Sequence, residues 1–327
     1  MSTTALAPPA AAPRRARGGW WRRHQRRLAP YLFVAPFFVL FCAFFVGPLL
    51  FAAWLSLHDW SGFGALQWAG TDNYRRMLHD PELGHAIGNT LFYVLAVVVV
   101  LVPVALLLAV GLDHPRLRAR HAFRTAFLVP TAISAVVAAV FFVMVFDTNY
   151  GLLNGVIKGL FGGNGVDWLG EPWTAKLSVA GVVFWRWAGL VALLFLAGLQ
   201  DISREQVDAA RVDGAKGRQV FWHVTLPGLR PVTVFVVAIC VIGTIQIFEE
   251  PFILTSGGPA GATRSVVQLI YNDGFIQGQF GYAATIAVLL VVATFTGTIV
   301  AMAAGRLRGR ARAARARAAV ASAKAAR

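Results

Sequence analysis

Six long apolar runs, joined by short polar connections, decide what this chain can fold into. They lie at about residues 31–57, 86–112, 122–146, 175–200, 231–255 and 282–305. A helix rises ~1.5 Å per residue, so about 20 residues cross a ~30 Å hydrocarbon core, and every run is long enough. Leu91 to Gly111 contains no charge. Pro36, Pro48, Pro103 and Pro130 interrupt the runs, which neighbouring helices tolerate in a membrane bundle. Of the 327 residues, 57% are hydrophobic and 14% charged, against ~25% charged in an average soluble protein. No soluble fold of this length hides that much apolar surface. Most soluble enzymes, disulfide-stapled secreted domains and disordered chains are thereby excluded. Cys42 and Cys240 both lie in apolar runs and give no disulfide or metal spacing.

Charge sets the direction of the spans. The net charge is +15, from 30 Lys+Arg against 15 Asp+Glu. Seven of the basic residues fall in the N-terminal tail, four between runs 2 and 3, five between runs 4 and 5, and eight in the C-terminal tail. Arg75, Arg76, Lys158, Lys176 and Arg264 are all that the opposite side holds, and Arg186 lies inside a run. The positive-inside rule places both termini in the cytoplasm, as an even number of spans requires. The first run is too long for a cleaved signal peptide. The tails 1–29 and 306–327 are rich in Ala, Arg and Pro and read as disordered. They act as a topology signal or, alternatively, are drawn to anionic lipid. The outer loops, about 58–85, 147–174 and 256–281, are too short for a folded extracellular domain.

Catalytic chemistry finds little support. No phosphate-cradling G-x-x-x-x-G-K-[ST] is present, and Gly159–Gly165 reads as a flexible turn. The seven histidines are scattered and form no metal-ligand pair. No catalytic or metal-ligating residue is assigned.

The informative polar stretch is the predicted cytoplasmic loop 201–230. Ser203 with Gln206 reads as a capping box, so a helix starts near Arg204, with Gly217 as its stop. Ala209, Ala210, Gly214 and Ala215 are small, and Asp208 reaches Arg211 at i,i+3. A helical or extended piece, Arg218–Thr225, leads to Leu226-Pro227 and run 5. On composition alone this is an amphipathic helix on the membrane surface.

The spacing adds a resemblance. Asp208-Ala209-Ala210, then Gly214, then Val224-Thr225-Leu226-Pro227 resembles the "EAA" loop of permease subunits of bacterial ABC importers, with Asp for Glu and Val for Ile. Asp213-Gly214-Ala215 and Leu229-x-Pro231 look like the sugar-permease version. Gly70–Tyr74, Asn89-Thr90, Phe123-Arg124 with Leu128-Val129-Pro130, Leu254–Pro259, and Phe275 with Gly281–Ala284 resemble further family segments, so about residues 30–305 are covered.

The resemblance implies an all-α, six-span type I importer permease of the carbohydrate or glycerol-phosphate kind, in the bacterial cytoplasmic (inner) membrane. Such a permease has no ATPase activity and no cofactor of its own. ATP and Mg are bound by two cytoplasmic ATPase subunits. A second, homologous permease completes a heterodimer, and an extracytoplasmic solute-binding protein delivers the solute. No nucleic acid is involved. By carry-over Asp208, Ala209, Ala210, Asp213, Gly214, Ala215, Leu226 and Pro227 form the joint with the ATPase.

For the substrate path, Arg186 lies about 11 residues into its run, roughly 16 Å down, and an intramembrane charge is a functional candidate by default. Glu249 and Glu250 sit higher, and an Arg186–Glu249 pair is within reach. Structural pairing and substrate contact stand level. Gln246, with the aromatics Trp185, Trp187 and Phe248, suits a hydroxyl-rich solute, because rings cover apolar sugar faces and amides bond hydroxyls. The tryptophans serve equally as packing or interfacial residues. Rival readings are the same architecture for polyamine, phosphate or peptide, or an ion-driven secondary transporter.

Overall fold

The computed structural model describes residues 20–114, 117, 119–162 and 165–299, with side chains from residue 29 onward. The expectations for 1–19 and 306–327, and the end of run 6, lie outside these residues. The chain divides into two units, 1–52 and 53–327.

The first unit is helical from Trp20, through Cys42–Val46, where the helix widens to a π-type turn, into Gly47–Leu55 (together α1). It therefore starts inside the segment that composition assigns to a disordered tail. From residue 31 to 54 its side chains are apolar and mostly exposed, Phe33 at 86% and Phe44 at 77%. Such a helix is stable only in apolar surroundings.

The second unit opens with an antiparallel pair, β1 (His58–Asp59) and β2 (Gln67–Trp68), with His58 opposite Trp68. The sequence pattern gives no hint of it. Then come α2 (Asp72–Leu78), α3 (Pro81–Asp113), α4 (Arg120–Ala132), α5 (Ala135–Val145), α6 (Leu152–Phe161) and α7 (Pro172–Gln200). They are followed by α8 (Arg204–Val212), α9 (Gly217–Gly228), α10 (Arg230–Ile245), α11 (Glu249–Thr255), α12 (Val266–Tyr271, continued by Asn272–Ile276) and α13 (Phe280–Ile299). Ala29–Leu55, α3, α7 and α13 are each long and apolar enough to cross a membrane. Two bent pairs, α4 with α5 and α9 with α10, bring the count to six if each is one span.

Helix α7 is the hub, touching α4, α5, α10, α11 and the second half of α3. Its buried face, including Val179, Val182, Val191 and Phe195, meets Leu101 and Ala105 of α3 and Val236 and Cys240 of α10 in one core. Glycines allow these crossings. A Cβ on Gly189 would collide with the Phe127 carbonyl, and one on Gly198 would lie 2.6 Å from Val232 Cγ2. Small residues at crossings let apolar helices pack in the absence of a water-driven force.

Two expected straight spans are broken. Run 3 turns through 98° between α4 and α5. Pro130 lacks an N–H and weakens the last turn of α4. Ile133 and Ser134 are extended, and the Ser134 carbonyl opens α5 by accepting from Ala138 N–H. Run 5 stops at Ile245 and resumes at Glu249. Pro251 explains the gap: in a continuous helix its ring would strike the carbonyl of Ile247 and leave it unbonded. Restarting at Glu249 puts Pro251 in a first turn, where proline is tolerated. The Ser265 hydroxyl then donates to the freed Ile247 carbonyl at 2.6 Å.

Candidate functional site

Two places gather the residues singled out by sequence: the loop 201–229 and the gap between α10 and α11.

In the loop, α8 begins at Arg204, but the Ser203 side chain makes no capping bond. The expected capping box is absent. The helix ends at Val212, not Gly217. Gly214, at φ +83°, supplies the left-handed residue that closes it. Gly214 N–H donates to the Arg211 carbonyl and Ala215 N–H to the Ala210 carbonyl, the paired bonds of a Schellman turn. Gly217 instead opens α9, where the Gln219 side chain accepts from Lys216 N–H at 2.8 Å. The expected Asp208–Arg211 pair forms at 3.4 Å, with both side chains about two-thirds exposed. Asp208, Ala209, Asp213 and Gly214 are exposed, and Val212 is 87% exposed. Ala210, Asp213, Gly214 and Ala215 line a groove of about 320 Å³ with Gln219, Val220, His223 and Val224.

The expected re-aiming by Leu226-Pro227 takes a definite form. Pro227 sits near the end of α9, and the 64° turn into α10 falls at Leu229. Leu229 is fully buried, and its Cδ2 lies 3.1 Å from where a Cβ on Gly198 would be. A Cβ on Gly228 would lie 3.3 Å from Ile202. The end of α9 is thus packed on the end of α7. The main contacts of helix α8 are with α9.

In the gap, Arg186 of α7 meets Glu250, not Glu249. Its Nη2 and Nε donate to the same Oε1, at 2.7 and 3.1 Å. The side chains are 20% and 2% exposed. Successive helical residues point about 100° apart, so only one glutamate of the first turn can face α7. The restart at Glu249 gives Glu250 that direction and leaves Glu249 half-buried. The guanidinium also lies 5.8 Å from the Trp187 ring. Trp187 fills the space left by Gly243, and Trp185 packs edge-on against Phe142 at 5.2 Å. Gln246 is exposed in the gap itself. Phe248 stacks on Phe252 at 5.0 Å and tilts against Tyr271 at 5.4 Å. Arg186, Glu250, Trp187 and Phe248 therefore border one break in a helix, while Trp185 packs toward α5.

The loop 256–279, which stands out in the sequence only by resemblance to a family segment, is a dense polar knot. Asn89 Nδ2 donates to the carbonyls of Gly261 and Arg264, at 2.9 and 3.0 Å. Tyr93 donates to Thr263 O, and Thr90 Oγ1 accepts from Val266 N–H. Arg264 pairs with Glu82 at 2.8 Å. Asp80 caps α3 through Glu82 N–H and accepts from the Tyr282 hydroxyl, whose ring carries the Arg76 guanidinium at 4.0 Å. Asp273 is buried beside this group, and burial first, then the carboxylates of Asp80 and Glu82, push its carboxyl up to about 6. Asn154 plays a similar part under α6: fully buried, it accepts from Val166 N–H and Trp168 Nε1 and donates to Val166 O. No local pattern marks Asn154, because its partners lie on both sides of it, among them Thr148 six residues before and Trp168 14 after.

Known proteins share this arrangement. The family model described as "Binding-protein-dependent transport system inner membrane component" matches residues 102–309. The arabinooligosaccharides transport system permease protein AraP of Bacillus subtilis (strain 168) is 33% identical over 85% of this chain and 89% of its own length. The lactose transport system permease protein LacF of Rhizobium radiobacter is 34% identical over 80% of this chain and 89% of its own. In fold, the chain is similar to one from the crystal structure of a bacterial ABC transporter involved in the import of the acidic polysaccharide alginate, with a TM-score of 0.76 and 22% identity, covering 88% of this chain and 98% of that one. With a family match over more than half its length and relatives at a third identity, this chain belongs to the binding-protein-dependent transport system inner membrane components, and it is a multi-pass membrane protein.

Proposed function

We propose that the chain is the permease subunit of an ABC importer for a sugar or related polyhydroxylated solute, driven by ATP hydrolysis on separate subunits. Six spans cross the membrane, with both termini in the cytoplasm. Helix α10, with 16 residues, is about 24 Å long, so α11 is needed to complete the fifth span. Relatives named for arabinooligosaccharide and lactose transport support a sugar as the solute.

The observation that carries the reading is α8: a short helix with no buried residue, closed at Gly214 and contacting mainly α9, while the end of α9 is packed on α7. Such a helix is a handle for a partner. An ATPase that grips Asp208, Ala209, Ala210 and the Gly214 turn moves α9, and α9 moves α7 and α10 through Leu229 against Gly198. The gap bordered by Arg186, Gln246, Phe248 and Glu250 then changes shape. Non-helical backbone at membrane depth is tolerated where it lines a water-filled cavity, and discontinuous helices commonly frame solute sites. A second permease faces this one, and a solute-binding protein docks on the outer loops.

Gly214→Trp tests the reading. The variant should insert normally yet lose ATPase binding and uptake, measured by co-purification and by transport in proteoliposomes. Normal uptake would sink the assignment.

A further inference from the structure

Resting on the sugar-permease reading, we propose that the Arg186–Glu250 pair restricts this permease to uncharged sugars. An arginine inside a span invites the opposite conclusion, that it waits for a phosphate or carboxylate on the solute. The geometry points the other way. Two of the guanidinium nitrogens are spent on one oxygen of Glu250, and Glu250 is 2% exposed. Separating such a pair leaves a buried carboxylate with no counter-charge, which is strongly unfavourable. An anionic solute would have to take that place. It would also approach Glu249, which has no ion-pair partner among the described residues. The gap therefore carries one cation and two carboxylates.

The neighbouring cations do not change this balance. Along α7 the nearest other cation is Lys176, ten residues before Arg186, about 15 Å away along the helix, and none follows Arg186 within α7. Arg264, beside the Ser265 that bonds the Ile247 carbonyl in the gap, is paired with Glu82. The positive end of α11 is answered by its own two first-turn carboxylates. What remains for a solute is uncharged: the faces of Trp187 and Phe248, the amide of Gln246, and backbone groups released from the helix. These suit the apolar ring faces and hydroxyls of a neutral sugar. Arg186 holds α7 to α11 and keeps the field of the gap from turning positive.

The test uses the purified assembly of both permeases and the ATPases without the binding protein, which would impose its own selectivity. Tryptophan fluorescence reports binding of two matched probe pairs: lactitol with lactobionate, and arabinotriitol with the corresponding aldonate. Each pair differs in one carboxylate. The wild type should bind the neutral member at least about tenfold more tightly. Glu250→Gln frees the guanidinium and should raise anion affinity about tenfold or more, with little change for the neutral sugar. Glu249→Gln, which leaves the pair intact, should narrow the difference several-fold and serves if Glu250→Gln does not fold. Equal or tighter anion binding by the wild type, or a preference that neither variant shifts, overturns the inference and leaves the sugar reading standing. Binding of neither member of either pair overturns both.

Discussion

The loops 256–279 and 201–229 are of similar length and opposite in character. The first is tied to α3 by the amide of Asn89, the hydroxyls of Thr90 and Tyr93, and the Arg264–Glu82 pair. These ties join residues 170 to 182 apart in the chain. The second is held at its ends only. Its middle, α8, relies on its own turn, and its one ion pair is exposed. Exposed pairs of this kind contribute about 0–1 kcal/mol. One loop is completed by its own chain, and the other presents a formed element with little of the chain around it. Stability should therefore concentrate in the first and coupling in the second.

Asn89→Leu should break the contrast most. It leaves the carbonyls of Gly261 and Arg264 without their donor, at a cost of about 4 kcal/mol, seen as a large fall in thermal midpoint in detergent. A small shift would mean that the knot is not what holds this loop. Asp273→Asn should act the other way. The folded carboxyl titrates near 6, above the ordinary value, so the folded state is penalised when it ionises. Stability is greatest below the unfolded pKa, falls as pH rises from about 4 to 6, and stays low above that. The amide should remove that slope and stabilise the protein at pH 7 by about 2–3 kcal/mol. Thermal midpoints across pH 4–8 check it. Asp208→Ala should have the smallest effect on stability, within about 0.5 kcal/mol, while uptake falls several-fold. A stability loss as large as that of Asn89→Leu would erase the distinction between the loops.

The spans were legible because hydrophobicity is a local property, and so was the loop helix, because its spacing is compact. The breaks were harder. Pro251 was visible, but its effect depends on whether Ile247 can find another donor, and Ser265 is 18 residues away. The same break decides that Glu250, not Glu249, meets Arg186, so a helical phase drawn through run 5 picks the wrong glutamate. The capping box at Ser203 failed for the converse reason. The signature was present, but the Ser203 side chain makes no cap bond, and the closing turn of the helix is the Schellman turn at Gly214. Asn89, Asn154 and Ser265 do their work through partners that no local window contains.

The hydroxyl of Ser265 carries one more consequence. It bonds the carbonyl that Pro251 releases, so the break in run 5 is written in two places, a ring that forbids continuity and an alcohol that rewards the gap. A span synthesised or inserted alone carries only the first instruction. Its two halves take their native angle when the following loop arrives, which makes that loop a template for the span before it.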